Sequence, residues 1–166
     1  MLFLLFIAYK LSDNVTENYQ NFVIEMHSSE INKILDIALT EITTTRLIDV
    51  LAVEEAKKKE AIDNVGIYLS ANKLGGFIET PTGEIIFLSQ DEVLINELKA
   101  FISNEGLFHY IKGTRHVHGK MIDYSPWDWK VMVFSKPETV LIYKNEFFTC
   151  CLQLFSAFYQ SSTAHI

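Results

Sequence analysis

The stretch LFHYIKGTRHVHGKMIDYSPWDWKVMVFS, residues 107–135, contains three strand-like runs separated by two turn signals. Gly-Thr at 113–114 and Ser-Pro at 125–126 favour turns, and the flanking runs are rich in alternating apolar, β-branched and aromatic residues. Strands joined by such short turns pair antiparallel, because a parallel connection needs a crossover of a dozen residues or more. The stretch therefore predicts an antiparallel sheet and excludes a purely parallel one.

Two more strands and three helices are predicted upstream. The segment GGFIETPTGEIIFLS, residues 75–89, is typical of a hairpin, because Pro81-Thr82-Gly83 sets the dihedral angles of the turn. Apolar residues recur at helical spacing from about 13 to 45, with one slip near HSSE, and again from about 47 to 72. Asn72 and Gly75 are candidates for the left-handed cap that ends the second helix. A third helix is expected in SQDEVLINELKAFIS, residues 89–103, with Ser89 as N-cap.

This order of elements predicts an α+β fold with long N-terminal helices, a five-stranded antiparallel sheet and helices on one side of it. At 166 residues and 49% hydrophobic, the chain has the length of one domain. Its net charge of −7 argues against a nucleic-acid partner, since 21 acidic residues outnumber 14 basic ones. Cys150 and Cys151 are adjacent, so they predict no disulfide framework and do not indicate a compartment.

An apolar run lies near each end of the chain, and the second run is followed by the more polar residues 160–166. MLFLLFIAYK, residues 1–10, and the apolar run at 147–159 are each too short to cross a bilayer, which takes roughly 20 residues. We interpret 1–10 as the end of a clipped transmembrane segment, 11–46 as a long stalk helix, 47–143 as a ligand-binding domain and 144–166 as a clipped or altered second membrane segment. The alternatives are a buried terminal helix or strand at the first end and an amphipathic helix packed on the core at the second.

The pattern most typical of a metal-binding site is His116-Val117-His118, on the second of the three predicted strands. Residues two apart on a strand point to the same face, so two imidazoles there are able to hold one metal ion. His109, on the preceding strand, is a third ligand only if the register allows it. The alternatives are an exposed face of an antiparallel strand and hydrogen bonds from these histidines to a ligand. No phosphate loop, nucleophile elbow or paired-cysteine zinc pattern occurs, so the sequence predicts no cofactor and no catalytic residue.

Aromatic and hydrogen-bonding side chains are concentrated in the same strands, as a small-molecule pocket requires. Arg115 or Lys120 suits a ligand carboxylate, and strand alternation favours Trp129 as the wall of the pocket, with Trp127 at its rim or beneath it. The alternative is that these are half-buried strand residues. The candidate ligand-binding residues are Tyr110, Arg115, His116, His118, Lys120, Asp123, Tyr124, Trp127 and Trp129.

The segment from Gly106 to Phe134 resembles the closing strands of the Cache family, the PAS-like extracytoplasmic sensor domains of bacterial receptors. The resemblance is carried by a Tyr-containing strand, a hairpin, a strand with Lys and Tyr, and a Trp-x-Trp motif. The residues are Tyr110, Gly113, Lys120, Tyr124, Trp127 and Trp129, and the 75–89 hairpin with Gly83 resembles the earlier strand pair. Asp123 is a candidate for the acidic residue that anchors a ligand amine in many amino-acid-binding members.

The resemblance implies a PAS-like sheet and a non-enzymatic sensing module of a transmembrane histidine kinase, diguanylate cyclase or chemoreceptor. It also implies a membrane location with the domain facing the periplasm or exterior, a homodimer through the long helix, and an amino acid, organic acid or amine as ligand. Two other functions remain open. One is a metal-binding protein or metal-dependent enzyme that uses His116 and His118, and the other is a ligandless dimerisation scaffold.

Overall fold

The computed structural model describes residues 2–44, 50–88, 92–102, 105–113, 115–135, 149 and 153. Three helices and five strands form there, with a short 3₁₀ turn between the last two strands. Their bounds are α1 Leu2–Thr44, α2 Val50–Ala71, β1 Leu74–Glu79, β2 Ile85–Phe87, α3 Glu92–Phe101, β3 Gly106–Lys112, β4 Arg115–Tyr124, the 3₁₀ turn Ser125–Trp127, and β5 Trp129–Ser135. The protein is thus an α+β fold with long N-terminal helices, as predicted.

The five strands form one antiparallel sheet in the order β2-β1-β5-β4-β3. The first and last of the described strands, β1 and β5, are therefore neighbours within this sheet. Gly83 takes φ +80° in the β1–β2 turn and Gly113 takes φ +64° after β3, as the predicted turns require. The hairpins at both sides of the sheet thus follow the turn signals of the sequence.

Helix α1 is 43 residues long and, at 1.5 Å per residue, about 65 Å from end to end. It packs on β4 and β5 and against α2 through residues such as Ile24, Ile31 and Leu35, which are fully buried. The slip in its periodicity corresponds to His27 and Ser28, which are polar and yet buried. The Ser28 hydroxyl donates to the carbonyl of Ile24 at 2.8 Å, so this buried group remains hydrogen-bonded.

The helices cover both faces of the sheet, which corrects the expectation that they lie on one side. α1 and α2 pack on the face that presents Val131 and Val133 of β5. α3 packs on the opposite face through Leu94, Ile95 and Leu98. These side chains contact the strand residues that alternate with the first set, among them Met132 and Phe134. The central strand is consequently buried on both faces, which explains its nearly continuous apolar run WKVMVFS.

The end of α2 also differs from the expectation. Neither Asn72 nor Gly75 takes the left-handed conformation; Lys73 does, with φ +56°. The Asn72 amide instead donates to the carbonyl of Tyr68 at 2.8 Å. Gly75 already lies in β1, where a Cβ atom would collide with the ring of Phe134. Ser89, the predicted N-cap of α3, lies outside the described residues.

The N-terminal apolar residues continue α1 without a break from Leu2 onward. Among the described residues, no helix combines the length and the apolar character needed to cross a membrane. The apolar run at 147–159, together with the rest of 144–166, lies outside the described residues except for positions 149 and 153.

Candidate functional site

The pleat of β4 divides the candidate residues between the two faces of the sheet. Residues at even positions from 116 to 124 face α1 and α2, and those at odd positions face α3. With Trp127 and Trp129, six candidates lie on the α1 side: His116, His118, Lys120, Tyr124, Trp127 and Trp129. Tyr110, Arg115 and Asp123 lie on the α3 side. The sheet therefore does not bring all nine residues into one pocket.

Two of the six residues on the α1 side are tied to α1 by polar contacts. The Lys120 ammonium donates to Glu25 Oε2 at 2.6 Å, and the Tyr124 hydroxyl donates to Asp36 Oδ1 at 3.1 Å. Burial, and then the hydrogen bond to Asp36, raise the pKa of Tyr124. Neither acidic partner belongs to the sequence-predicted site. The sequence shows only that Glu25 and Asp36 belong to the predicted first helix. Helical spacing alone does not show which strand residue each carboxylate contacts.

The two tryptophans belong to the core beneath α1 and α2. Trp127 is 7% exposed and Trp129 is 5% exposed, and their ring centroids are 4.7 Å apart. Trp127 also meets the edge of the Tyr124 ring, with centroids 5.3 Å apart. Alternation along β5 places Trp129 with Val131 and Val133, as the sequence predicted.

On the opposite face of the sheet, the Glu97 carboxylate of α3 is hydrogen-bonded to two residues of β3. It accepts hydrogen bonds from Lys112 at 2.7 Å and from the Tyr110 hydroxyl at 3.2 Å. The hydrogen bond from Lys112 lowers the pKa of Glu97, and burial raises the pKa of Tyr110. Arg115 and Asp123 are exposed at the two ends of β4, and Asp123 pairs in register with Lys130 of β5.

Three histidines, which we call the histidine cluster, meet on the α1 side of β3 and β4: His109, His116 and His118. The register sets His109 directly opposite His118, and their rings stack with centroids 4.0 Å apart. The centroids of His109 and His116 are 5.8 Å apart. The sequence had left the position of His109 open, because it depends on the register of the hairpin.

Burial governs the protonation of the histidine cluster. It lowers the pKa of His118 to about 4, with further lowering by the charges of His109 and His116. It also lowers the pKa of His109, against the opposing effect of Glu17 on α1. His118 and His109 are therefore neutral near pH 7. In the described part of the chain, no three His, Cys, Asp or Glu side chains converge in the arrangement of a metal site.

A separate open groove lies between α2 and the β1–β2 hairpin, with a volume of about 950 Å³. None of the nine candidate residues lines it. Small residues of α2, such as Gly66 and Ser70 one turn apart, leave this space beside the apolar side chains of β2. Its lining consists of Ile62, Asp63, Gly66, Ile67, Ser70, Ala71, Ile86 and Leu88.

The fold and these contacts define an α+β domain whose long first helix packs on β4 and β5 of its sheet. No protein-family model matches the chain, and no curated protein matches it. Among solved structures, the sensor domain of the zinc-responsive histidine kinase CzcS from Pseudomonas aeruginosa is similar over 63% of this chain and 94% of that one. The sequence identity is 16% and the TM-score is 0.25, a value that does not establish a shared fold.

Proposed function

We propose that this chain is the extracytoplasmic sensing module of a membrane receptor, in which a small molecule changes how α1 packs on the sheet. The observation that carries the proposal is the direct contact between α1 and the face of β4 that presents His116, His118, Lys120 and Tyr124. A helix about 65 Å long extends well beyond such a contact, so a local change at the sheet is able to alter the position of a distant helix end.

The pair formed by Lys120 and Glu25 offers a route for this change. Glu25 is about half exposed, and ion pairs of this kind contribute at most about 1 kcal/mol. A ligand carboxylate that takes the place of Glu25 on Lys120 therefore releases one attachment of α1 at small cost. A ligand shifts the receptor only if it binds one packing of α1 better than the other, and this exchange supplies such a difference. The proposed ligand is an amino acid or an organic acid, because these two of the three implied ligand classes carry a carboxylate.

Arg115 and Lys120 provide a matched test of the binding face, because they are cations of the same strand on opposite faces. Amino acids, organic acids and amines are screened by thermal shift, and a stabilising compound is then measured with Arg115→Gln and Lys120→Gln. We expect Lys120→Gln to abolish the shift and Arg115→Gln to keep it. Loss in Arg115→Gln alone would move the site to the α3 face, and an unchanged shift in both would remove the predicted site. A screen without any stabilising compound would favour a ligandless scaffold.

We also propose that α1 forms the homodimer contact, on the side that faces away from the sheet. The apolar residues Leu11, Val15, Phe22 and Met26 are 43% to 66% exposed, and Tyr19, of the same row, is 51% exposed. From Val15 to Met26 this row has the alternating spacing of four and three residues that is typical of coiled coils. We expect a second copy of the chain to cover this row, because a row of this kind is able to pack against its own copy across a two-fold axis.

A further inference from the structure

Strand β3, Gly106–Lys112, is an edge strand of the sheet. Within the part of the chain that the structure describes, it pairs only with β4, so one side of its backbone is open. The opposite edge strand, β2, is three residues long, and such short edges pair poorly with other strands. β3 lacks this protection, and it contains no proline, no bulge in its register with β4, and only one charged residue, Lys112 at its end. β3 is therefore the edge at which another strand is able to join the sheet.

The backbone groups that point to the open side of β3 belong to Leu107, His109 and Ile111. In an antiparallel pair, residues that exchange hydrogen bonds with the partner strand alternate with residues whose N–H and C=O groups point away from it. The N–H of His118 donates to the Ser135 hydroxyl of β5 at 3.2 Å, so the backbone groups of His118 point away from β3. His109 pairs with His118 in register, and its own backbone groups therefore point to the open edge. The same holds for positions 107 and 111, which lie two residues away on either side.

The side chains of β3 are arranged symmetrically about His109. In the run LFHYI, residues 107–111, an aliphatic residue stands at each end, an aromatic residue lies next to each of them, and the histidine is at the centre. A second β3 strand that is antiparallel and centred on His109 sets Leu107 of one copy opposite Ile111 of the other. It also sets Phe108 of one copy opposite Tyr110 of the other. Cross-strand pairs of this kind, aliphatic with aliphatic and aromatic with aromatic, stabilise a sheet.

Apolar side chains are exposed beside this edge on both faces of the sheet. On the α1 side, Leu107 is 43% exposed and Ile111 is 56% exposed. On the α3 side, Phe101 is 58% exposed, and its ring meets that of Tyr110 with centroids 5.2 Å apart. A strand that joins the edge covers this apolar surface as well as the open backbone groups, and burial of apolar surface favours association.

We propose that two copies of this chain pair through β3, antiparallel and about a two-fold axis at His109, so that their sheets continue into one. The outward-facing positions 107, 109 and 111 of both copies then form hydrogen-bonded pairs, with about six backbone hydrogen bonds across the contact. The partner is a second copy because residues 107–111 supply both halves of every cross-strand pair, as a two-fold contact requires. The pairing does not rest on the proposed function, and its surface differs from the exposed row of α1.

The test measures self-association by analytical ultracentrifugation in the Phe22→Glu chain, in which the proposed contact on α1 is weakened. We expect a concentration-dependent dimer. Adding Ile111→Pro should raise its dissociation constant at least tenfold, because proline removes an N–H that the second copy uses and that β4 does not. Ile111→Lys should have a similar effect without removing a backbone group, because it places a charge opposite Leu107. Ile67→Lys is the matched control, since Ile67 of α2 is also an exposed isoleucine, and the dimer should persist in it.

A second measurement tests the register in chains whose two native cysteines are replaced by serine. Opposite residues of a hydrogen-bonded pair have Cα atoms about 5.5 Å apart, which is within the range of a disulfide. Leu107→Cys mixed with Ile111→Cys should therefore give a disulfide-linked dimer on oxidation. Each variant alone should give none, because its two cysteines then lie opposite different positions of the other copy.

A monomeric Phe22→Glu chain, or equal association of the Ile111→Lys and Ile67→Lys variants, would overturn the pairing through β3. Cross-linking of Leu107→Cys alone to the same extent as in the mixture would overturn its register. Association that is equally strong with and without Phe22→Glu, and that Ile111→Lys abolishes, would support pairing through β3 and contradict the contact on α1. The two contacts between copies are therefore decided separately, and neither result affects the organic-ligand screen.

Discussion

Gly76 lies where β1 passes beneath α2, and the space there is too small for a side chain. A Cβ atom at this position would be 2.5 Å from the carbonyl oxygen of Met132 and 2.8 Å from Cδ1 of Leu69. The first of these is a backbone atom of the central strand and cannot move away alone. The glycine therefore sets the distance between α2 and the sheet.

Gly76→Ala should destabilise the protein by about 1–3 kcal/mol, because overpacking forces β1 or α2 to shift. The measurement is the free energy of unfolding in urea. Gly66→Ala in α2 is the control, since its new Cβ would meet only Leu88 Cδ2, at 3.9 Å. That change should stabilise the protein by about 0.5–1 kcal/mol, because alanine replaces glycine inside a helix. Equal effects of the two substitutions would contradict the close approach at Gly76.

His27 links the two long helices. Its Nδ1 lies 2.7 Å from the hydroxyl of Tyr68, and its ring meets the edge of the Tyr68 ring. Burial lowers the pKa of His27, while the nearby Glu30 opposes the shift. The folded protein therefore keeps His27 neutral at pH values where the unfolded chain, with a histidine pKa near 6.5, already binds a proton.

We expect His27 to make stability depend on pH. Because the unfolded state binds more protons below about pH 6.5, the free energy of unfolding should decrease as the pH falls through and below this value. The measurement is the difference in free energy of unfolding between wild type and His27→Gln from pH 7.5 to pH 5. His109 and His118 titrate in both proteins, so their effects cancel in this difference. The advantage of the wild type should shrink as the pH falls, and a constant difference would contradict the lowered pKa.

At the scale of elements, α1 is apolar on two opposite sides. One side is buried on the sheet through residues such as Ile24 and Ile31, and the other exposes the row that includes Val15, Phe22 and Met26. A helix that serves only as the outer layer of a monomer has one apolar stripe and one polar face. The second stripe is therefore the part of α1 that we assign to a second copy of the chain.

Phe22→Glu should weaken dimer formation, because it places a charge in the middle of this row, next to the same charge of the partner copy. We expect the dissociation constant, measured by analytical ultracentrifugation, to rise at least tenfold with little change in the helical circular dichroism. Val93→Glu is the matched control, since Val93 of α3 is 66% exposed, as Phe22 is. A monomeric wild type, or equal weakening by both substitutions, would contradict the dimer contact on α1.

At the scale of the whole molecule, the sheet separates two hydrophobic cores, one on each face. In the sequence, the residues of the two cores alternate within the same apolar runs. The core between the sheet and α1 with α2 contains both tryptophans, and the core between the sheet and α3 contains Phe77, Met132 and Phe134. Each core uses alternate residues of the same strands. This arrangement explains why the cluster of candidate residues, compact in sequence, is distributed over two surfaces in the folded protein.

Much of the fold was predictable from local patterns. The bounds of β4 and β5 follow directly from the runs RHVHGKMIDY and WKVMVFS, and the turns follow from Gly83, Gly113 and Pro126. The alternation that puts Trp129 with Val131 was predictable for the same reason, since it depends only on the two-residue period of a strand. The residue that ends α2 was not predictable, because Lys73 takes the left-handed conformation that glycine or asparagine usually adopts at this position.

The candidate site was predictable only as a set of residue types. The sequence by itself determined which residues lie on strands and which face each shares with its neighbours two positions away, because these properties depend on local dihedral angles and turn residues. Only the tertiary structure decided that His109 stands opposite His118, that Lys120 meets Glu25 and that α3 covers the other face. Those contacts join residues far apart in the chain, and they depend on strand register and on the side from which each helix packs.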